Sequence, residues 1–331
     1  MLQFALDQGC QCLPLGQRLT CGREKGSGGT APNLEQEAFG SYALQQVHPL
    51  LHKLLSAQTT VSGDRSVHWT QGGMTEVVIQ TTRGVLARWL DSDSRDIGPH
   101  TLHLMTELKD KPDGLVDELR VVVRHHYVAP DVLAKRLADL GAPQTAALLQ
   151  EKLPTSKRAR SGDLGEILTT EIAEEHLAYQ VPIRRLRWKD GRNVALRGDD
   201  IVGIARDSGD RLRFLKGESK SRISLTMSVI REASDALHRD KGRPTRHSVL
   251  FVADRLREGG NDDLALELDK AVLNGFRGHR IEHLLCTVTG NKPDALLSEH
   301  LESCQKEPKR HAVGVHISNH GKFIEELFQG V

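Results

Sequence analysis

The sequence predicts an α/β protein: a C-terminal mixed sheet flanked by helices, preceded by an N-terminal mixed α/β domain. Three observations predict it. Beyond about residue 163, apolar runs of strand length alternate with periodic segments of helix length. Three strand-like runs follow one another across short turns before that alternation begins, which places antiparallel neighbours in an otherwise parallel sheet. The chain has 331 residues, enough for about two domains that each bury a core.

Taken in order, residues 22–33 (GREKGSGGTAPN) predict a connector, after which Leu50, Leu51, Leu54 and Leu55 recur at helical spacing in a helix over 34–58. In 59–129, TEVVIQTT predicts a strand, GVLARWL a short helix or strand, and LVDELRVVVRHHYV either one. Pro130, Gly141, Pro143 and Pro154 punctuate two helices joined by a tight turn. The pair is read as a packing unit rather than a DNA-reading helix-turn-helix. The basic, small-residue run TSKRARSG (155–162) predicts a linker and sets the domain boundary, giving domains 1–154 and 155–331.

The second domain reads as a helix (163–178) and three strands (181–188, 194–205 and 211–220), turned by Asp190-Gly191 and by 207–210. A helix (224–239), a strand (248–253), a helix (262–275), a strand (281–288), a helix (294–304), a strand (312–317) and a helix (320–329) follow.

With 45 Lys+Arg against 44 Asp+Glu the chain carries a net charge of +1, which excludes a strongly basic chromatin-type protein and an acidic disordered one. No apolar run is long enough to span a membrane. The N-terminal apolar stretch is broken by Asp7, Gln8 and Gly9, so the expected location is cytoplasmic. Five cysteines at irregular spacing fit reduced thiols.

Charge is unevenly spread. From Arg184 to Arg222 twelve basic residues face six acidic ones. Arg184, Arg185, Arg187, Lys189, Arg192 and Arg197 fall there, a composition suited to the phosphate backbone of DNA, with Trp188 available to stack on a base.

The chemistry concentrates in Arg197-Gly-Asp-Asp200 and, seventeen residues on, Glu218-Ser219-Lys220. Alternation along a strand puts Glu218 and Lys220 on one face and Ser219 on the other. A short turn brings Asp200 alongside, and the preceding helix offers Glu166. Asp200, Glu218 and the Ser219 carbonyl supply hard oxygen ligands for Mg²⁺ or Mn²⁺, while Lys220 can orient the attacking water and offset transition-state charge. Asp163-Leu-Gly-Glu166 also fits a helix capping box, which gives Glu166 an alternative, structural role.

This pattern resembles the PD-(D/E)XK nuclease superfamily, Asp200 and Glu218-x-Lys220 matching its two catalytic motifs and Glu166 its helix acid. More closely, Gly162-Asp-Leu-Gly-Glu166, Arg197-Gly-Asp-Asp200 and Leu215-Lys-Gly-Glu-Ser-Lys220 are similar to the nuclease domain of the HamA family of Hachiman anti-phage defence, over roughly residues 155–331. The resemblance implies a metal-dependent endodeoxyribonuclease acting with a superfamily 2 helicase partner. Of the doubled Asp199-Asp200, the family's Gly-x-Asp spacing selects Asp200. A catalytically inactive nucleic-acid-binding or scaffold module of a defence complex is the competing expectation.

Overall fold

The computed structural model describes residues 84–304 and 308–331. The helix expected over 34–58, the strand at 75–82 and Cys10, Cys12 and Cys21 lie outside them. The described chain runs α1 (Val85–Trp89), β1 (Leu90–Ile97), β2 (His100–Glu107), α2 (Leu115–Tyr127), α3 (Pro130–Leu140), α4 (Ala142–Gln150), α5 (Lys157–Glu175), β3 (Ile201–Arg206) and β4 (Leu212–Arg222). It continues through α6 (Met227–His238), α7 (Arg246–Glu258), α8 (Asp262–Leu273), β5 (Arg280–Thr289), α9 (Asp294–Ser303), β6 (Arg310–His316) and α10 (His320–Gln329).

Six strands form one mixed sheet in the order β1-β2-β6-β5-β4-β3. The two edge pairs, β1 with β2 and β3 with β4, are antiparallel, and the three central pairings are parallel. Helices cover both faces. On one, α5 and α10 pack with Trp89, Leu119 and Tyr127 over Leu215, Leu284 and Val313. On the other, α7 and α8 cover Val202 and Phe214, while α6 and α9 cover Leu285 and Ala312. The central strands are therefore apolar on both faces, as parallel strands between two helical layers must be. No helix among the described residues is long and apolar enough to cross a membrane.

The expected boundary at 154/155 does not divide this sheet. β1 and β2, both ahead of that boundary, extend the same sheet through parallel pairing of β2 with β6. The hairpin escapes a sequence reading because LDSDSRDI lacks apolar alternation. β1 is an edge strand exposed at six of its eight positions, a common way of keeping an edge from pairing with other chains.

Five other expectations are corrected. TSKRARSG is not a linker: Ser156 Oγ accepts from the Ala159 N–H at 3.1 Å and caps α5, which starts at Lys157. Asp163 and Glu166 are therefore interior helix residues, and the capping box does not form. The segment 181–188 is not a strand. It has one isolated bridge beside it, Gln180 to Ile204, and a single 3₁₀ turn at Arg185–Trp188, because Pro182 lacks an N–H and the arginines that follow bond to loop carbonyls. The strand expected from 194 begins only at Ile201, so the three-strand meander reduces to the β3–β4 hairpin. Residues 248–253 are helical within α7, where buried Val249, Val252, Ala253 and Leu256 follow the helical period that the β-branched residues disguise.

Candidate active site

The site sits where β3 begins and β4 ends. Gly165 lets α5 approach β4 closely: a Cβ there would lie 3.0 Å from Ser219 Oγ and 3.3 Å from Ser221 Cβ. The next residue, Glu166, is thereby brought into the field of Asp200. Ser219 and Ser221 face α5, and alternation turns Glu218 and Lys220 to the opposite face, toward α6. Asp200, one residue ahead of β3, joins the two: its Oδ2 accepts the Ser219 N–H at 2.9 Å.

Lys220 Nζ lies 2.9 Å from Glu218 Oε1 and 3.1 Å from Glu232 Oε1. Arg239 Nη2 stands 3.9 Å from Glu218 Oε2. Burial, then the field of Asp200, pushes the Glu166 carboxyl up to about 8. The same two causes push Glu218 up to about 7. Asp200 is also raised, by burial, against the pull of the Ser219 N–H. For Lys220, burial favours the neutral amine, but its bonds to Glu218 and Glu232 outweigh it and raise its pKa. Burial thus makes each of these three carboxyls resist ionising, and the field of Asp200 adds to the effect at Glu166 and Glu218, an electrostatic setting that a bound divalent cation relieves.

Among the described residues no three His, Cys, Asp or Glu side chains form a ready-made cage. Magnesium does not need one: one or two carboxylates with waters and phosphate oxygens complete its octahedron. Asp200 and Glu218 fit that requirement.

The two adjacent aspartates sit in different environments. Asp199 is buried, with 4% of its surface exposed. Its Oδ2 accepts the Thr245 N–H at 2.6 Å and its Oδ1 lies 3.5 Å from Lys216 Nζ. It ties β3 to α7, whereas Asp200 is the acid among the other carboxylates.

Five of the six basic residues expected to meet DNA are engaged within the fold. Arg184 pairs with Glu174 at 2.6 Å. Arg185 is buried and donates to the Asp199 and Arg197 carbonyls. Arg187 donates to His125 O at 2.7 Å and Lys189 to Asp163 at 2.8 Å, and Arg192 donates to Leu153 O and Gln150 O. An irregular segment needs its carbonyls satisfied, and these cations supply the donors. Arg197 is exposed and has no side-chain partner among the described residues. Trp188 packs edge-on against Phe251 at 5.9 Å, so it anchors the segment.

A profile of the HamA family matches residues 84–331, three quarters of the chain and all of the described sheet. The chain belongs to the HamA family. A relative, the Hachiman protein HamA of Bacillus cereus, is 26% identical over 184 residues, covering 54% of this chain and 65% of that protein. This HamA-family chain thus spans just under two thirds of that relative.

Sequence reasoning missed Glu232, Arg239 and Lys216. A helix that directly follows a strand must pack back over it, which was the available signal for Glu232 in α6. Lys216 shares the strand face of Glu218, yet it is 1% exposed, and alternation alone does not distinguish a buried lysine from a solvated one.

Proposed function

We propose that this chain is a metal-dependent DNA nuclease of the PD-(D/E)XK type, acting as the effector of a Hachiman anti-phage system in the cytoplasm alongside a superfamily 2 helicase partner. The observation that carries the reading is the junction of Asp200 with the Glu218-x-Lys220 strand through the Ser219 N–H. In the proposed arrangement Asp200, Glu218 and the Ser219 carbonyl hold Mg²⁺ or Mn²⁺. A cation so held polarises a phosphate oxygen and makes a bound water more acidic.

The remaining work falls to the chain. Lys220 keeps its proton and presents it to the attacking water and to the charge that develops on phosphorus-bound oxygen. Glu232 and Glu218 hold that ammonium in place. Glu166, whose carboxyl burial and the field of Asp200 push up to about 8, would accept or return a proton at the edge of the site in this reading. The defence role, the DNA substrate and the helicase partner rest on family membership together with this geometry.

The test is cleavage of supercoiled plasmid and linear duplex by the full chain, alone and with the helicase, in Mg²⁺ and in EDTA. Cleavage should require the cation and disappear in Glu218→Gln. Cleavage that persists in EDTA, or equally in Glu218→Gln, refutes the reading.

A further inference from the structure

The connection between α6 and α7, residues 239–246, reads RDKGRPTR: four basic residues against one acidic, a net +3 within eight positions. Arg239, Lys241, Arg243 and Arg246 are all exposed. Arg239 reaches to 3.9 Å from Glu218. Arg246 opens α7, whose cap residue Thr245 is bonded through its N–H to Asp199, the neighbour of Asp200. The segment therefore runs from beside Glu218 to the residue that precedes Asp200 in the chain. Neither Lys241 nor Arg246 has a side-chain hydrogen bond or ion pair among the described residues, unlike the five internally engaged cations of 184–192.

Its shape is also imposed. Asp240 and Lys241 are non-glycine residues in the left-handed region, at φ 58° and 60°, followed by Gly242 at 74°. Such backbone persists only where its surroundings enforce it. Here the enforcing group is Lys216, whose buried ammonium donates to Arg239 O at 2.8 Å and Arg243 O at 3.0 Å, clamping the turn at both ends. His283 Nε2 lies 2.8 Å from Gly242 O and fixes it from below. A solvated surface loop needs no such anchorage. A loop that must hold cations at a fixed distance from a reactive phosphate does, because the phosphodiester backbone is recognised by positioned charge rather than by base edges.

We propose that residues 239–246 form the arm that binds the DNA backbone and seats the scissile phosphate at the carboxylates, a role that rests on the nuclease reading above. Lys241, Arg243 and Arg246 contact phosphates flanking the cut, and Lys216 is the positioning residue that sets the arm.

The experiment measures binding of a fluorescein-labelled 30-base-pair duplex by anisotropy in EDTA, so that neither metal nor cleavage enters, across a KCl series. Removing one cation that neutralises a phosphate makes the slope of log affinity against log salt shallower by about 0.9. The triple variant Lys241→Glu/Arg243→Glu/Arg246→Glu should bind at least tenfold more weakly at about 100 mM salt, with a slope shallower by about 2–3. Because Arg243 also donates to Gly275 O, the double variant Lys241→Glu/Arg246→Glu, which breaks no hydrogen bond or ion pair among the described residues, is run beside it and should have a slope shallower by about 2. The control Lys135→Glu/Arg136→Glu, on α3, should bind as wild type.

Wild-type affinity in the double variant, or a wild-type chain without salt-dependent duplex binding, overturns the proposal. A wild-type chain that binds through this arm but never cleaves with Mg²⁺ overturns the nuclease reading and leaves the arm standing, so the two failures are distinguishable.

Discussion

The Ser219 N–H donates to Asp200 Oδ2 at 2.9 Å, so the acid ahead of β3 is fastened to the strand that carries Glu218 and Lys220. That one bond joins two sequence motifs separated by seventeen residues, and it gives Asp200 a partner that Asp199 lacks.

Asp199 and Asp200 should respond oppositely to substitution. Asp199→Ala leaves the Lys216 ammonium buried without its carboxylate, a loss of about 3–5 kcal/mol that urea unfolding would register. Asp200→Asn relieves repulsion with Glu166 and Glu218 and should raise the melting temperature, by roughly 2–4 °C for each kcal/mol relieved, while abolishing metal-dependent cleavage. A lower melting temperature for Asp200→Asn would place Asp200 among the structural acids instead.

Lys220→Met should leave the fold standing and slow cleavage by on the order of 10²–10³ in kcat, the usual cost of losing one charge-stabilising donor. Single-turnover kinetics at saturating protein separates this from weakened binding. An unchanged rate constant would remove Lys220 from the chemistry.

Gly165→Ala pits two effects against each other. Alanine favours the helix by about 1 kcal/mol, but its Cβ would meet Ser219 Oγ at 3.0 Å, and overpacking costs about 1–3 kcal/mol. The single variant should be destabilised. In a Ser219→Ala background, where the nearest Ser219 atom is Cβ at 3.7 Å, the same change should cost markedly less. Additive effects in a double-mutant cycle would mean that α5 and β4 are not held at this spacing by the missing side chain.

Acid should weaken the fold through Glu282. His311, Tyr179 and Arg280 all hold its charged form, and against the opposing effect of burial they bring it down to about 2. A depressed carboxyl contributes stability that is present above its unfolded value near 4.5 and lost as pH falls toward 2. The contribution is on the order of 3 kcal/mol. A separate loss begins earlier, because desolvation lowers half-buried His103 and buried His283 to about 4 each, so both imidazoles oppose folding as pH drops from 6.5 to 4. Chemical denaturation across pH 2–7 should show both limbs in the wild type, and Glu282→Gln should flatten only the lower one.

Much of the C-terminal half was legible because its signals are local. The strands at 280–289 and 310–316 contain apolar runs, the strand at 212–222 opens on Leu212, Phe214 and Leu215 before it turns charged, and the helices between them carry clear periods. Asp200, Glu218 and Lys220 could be grouped because strand alternation and one hairpin turn suffice to bring them together. What escaped was non-local. The β1–β2 hairpin is recognisable as sheet only once β6 lies beside it, and the cations of 184–192 are solvated or buried according to which carbonyls the loop presents. Residues 246–258 illustrate competition between signals: the β-branched valines favoured a strand, while the Thr245 cap and the spacing of Val249, Val252 and Leu256 decided for a helix.

The pairing of β2 with β6 bears on how the molecule assembles. Arg310 donates its N–H to His100 Nδ1 across 210 residues of chain, so one edge of the sheet is completed by contacts distant in sequence, whereas β3 and β4 meet across a short turn. Loop-closure entropy makes the first kind of contact late and the second early. In refolding, the β3–β4 pairing that bears the carboxylates should gain hydrogen-exchange protection before the β2–β6 pairing does. The chemistry would then take shape on a sheet that is still open at its far side.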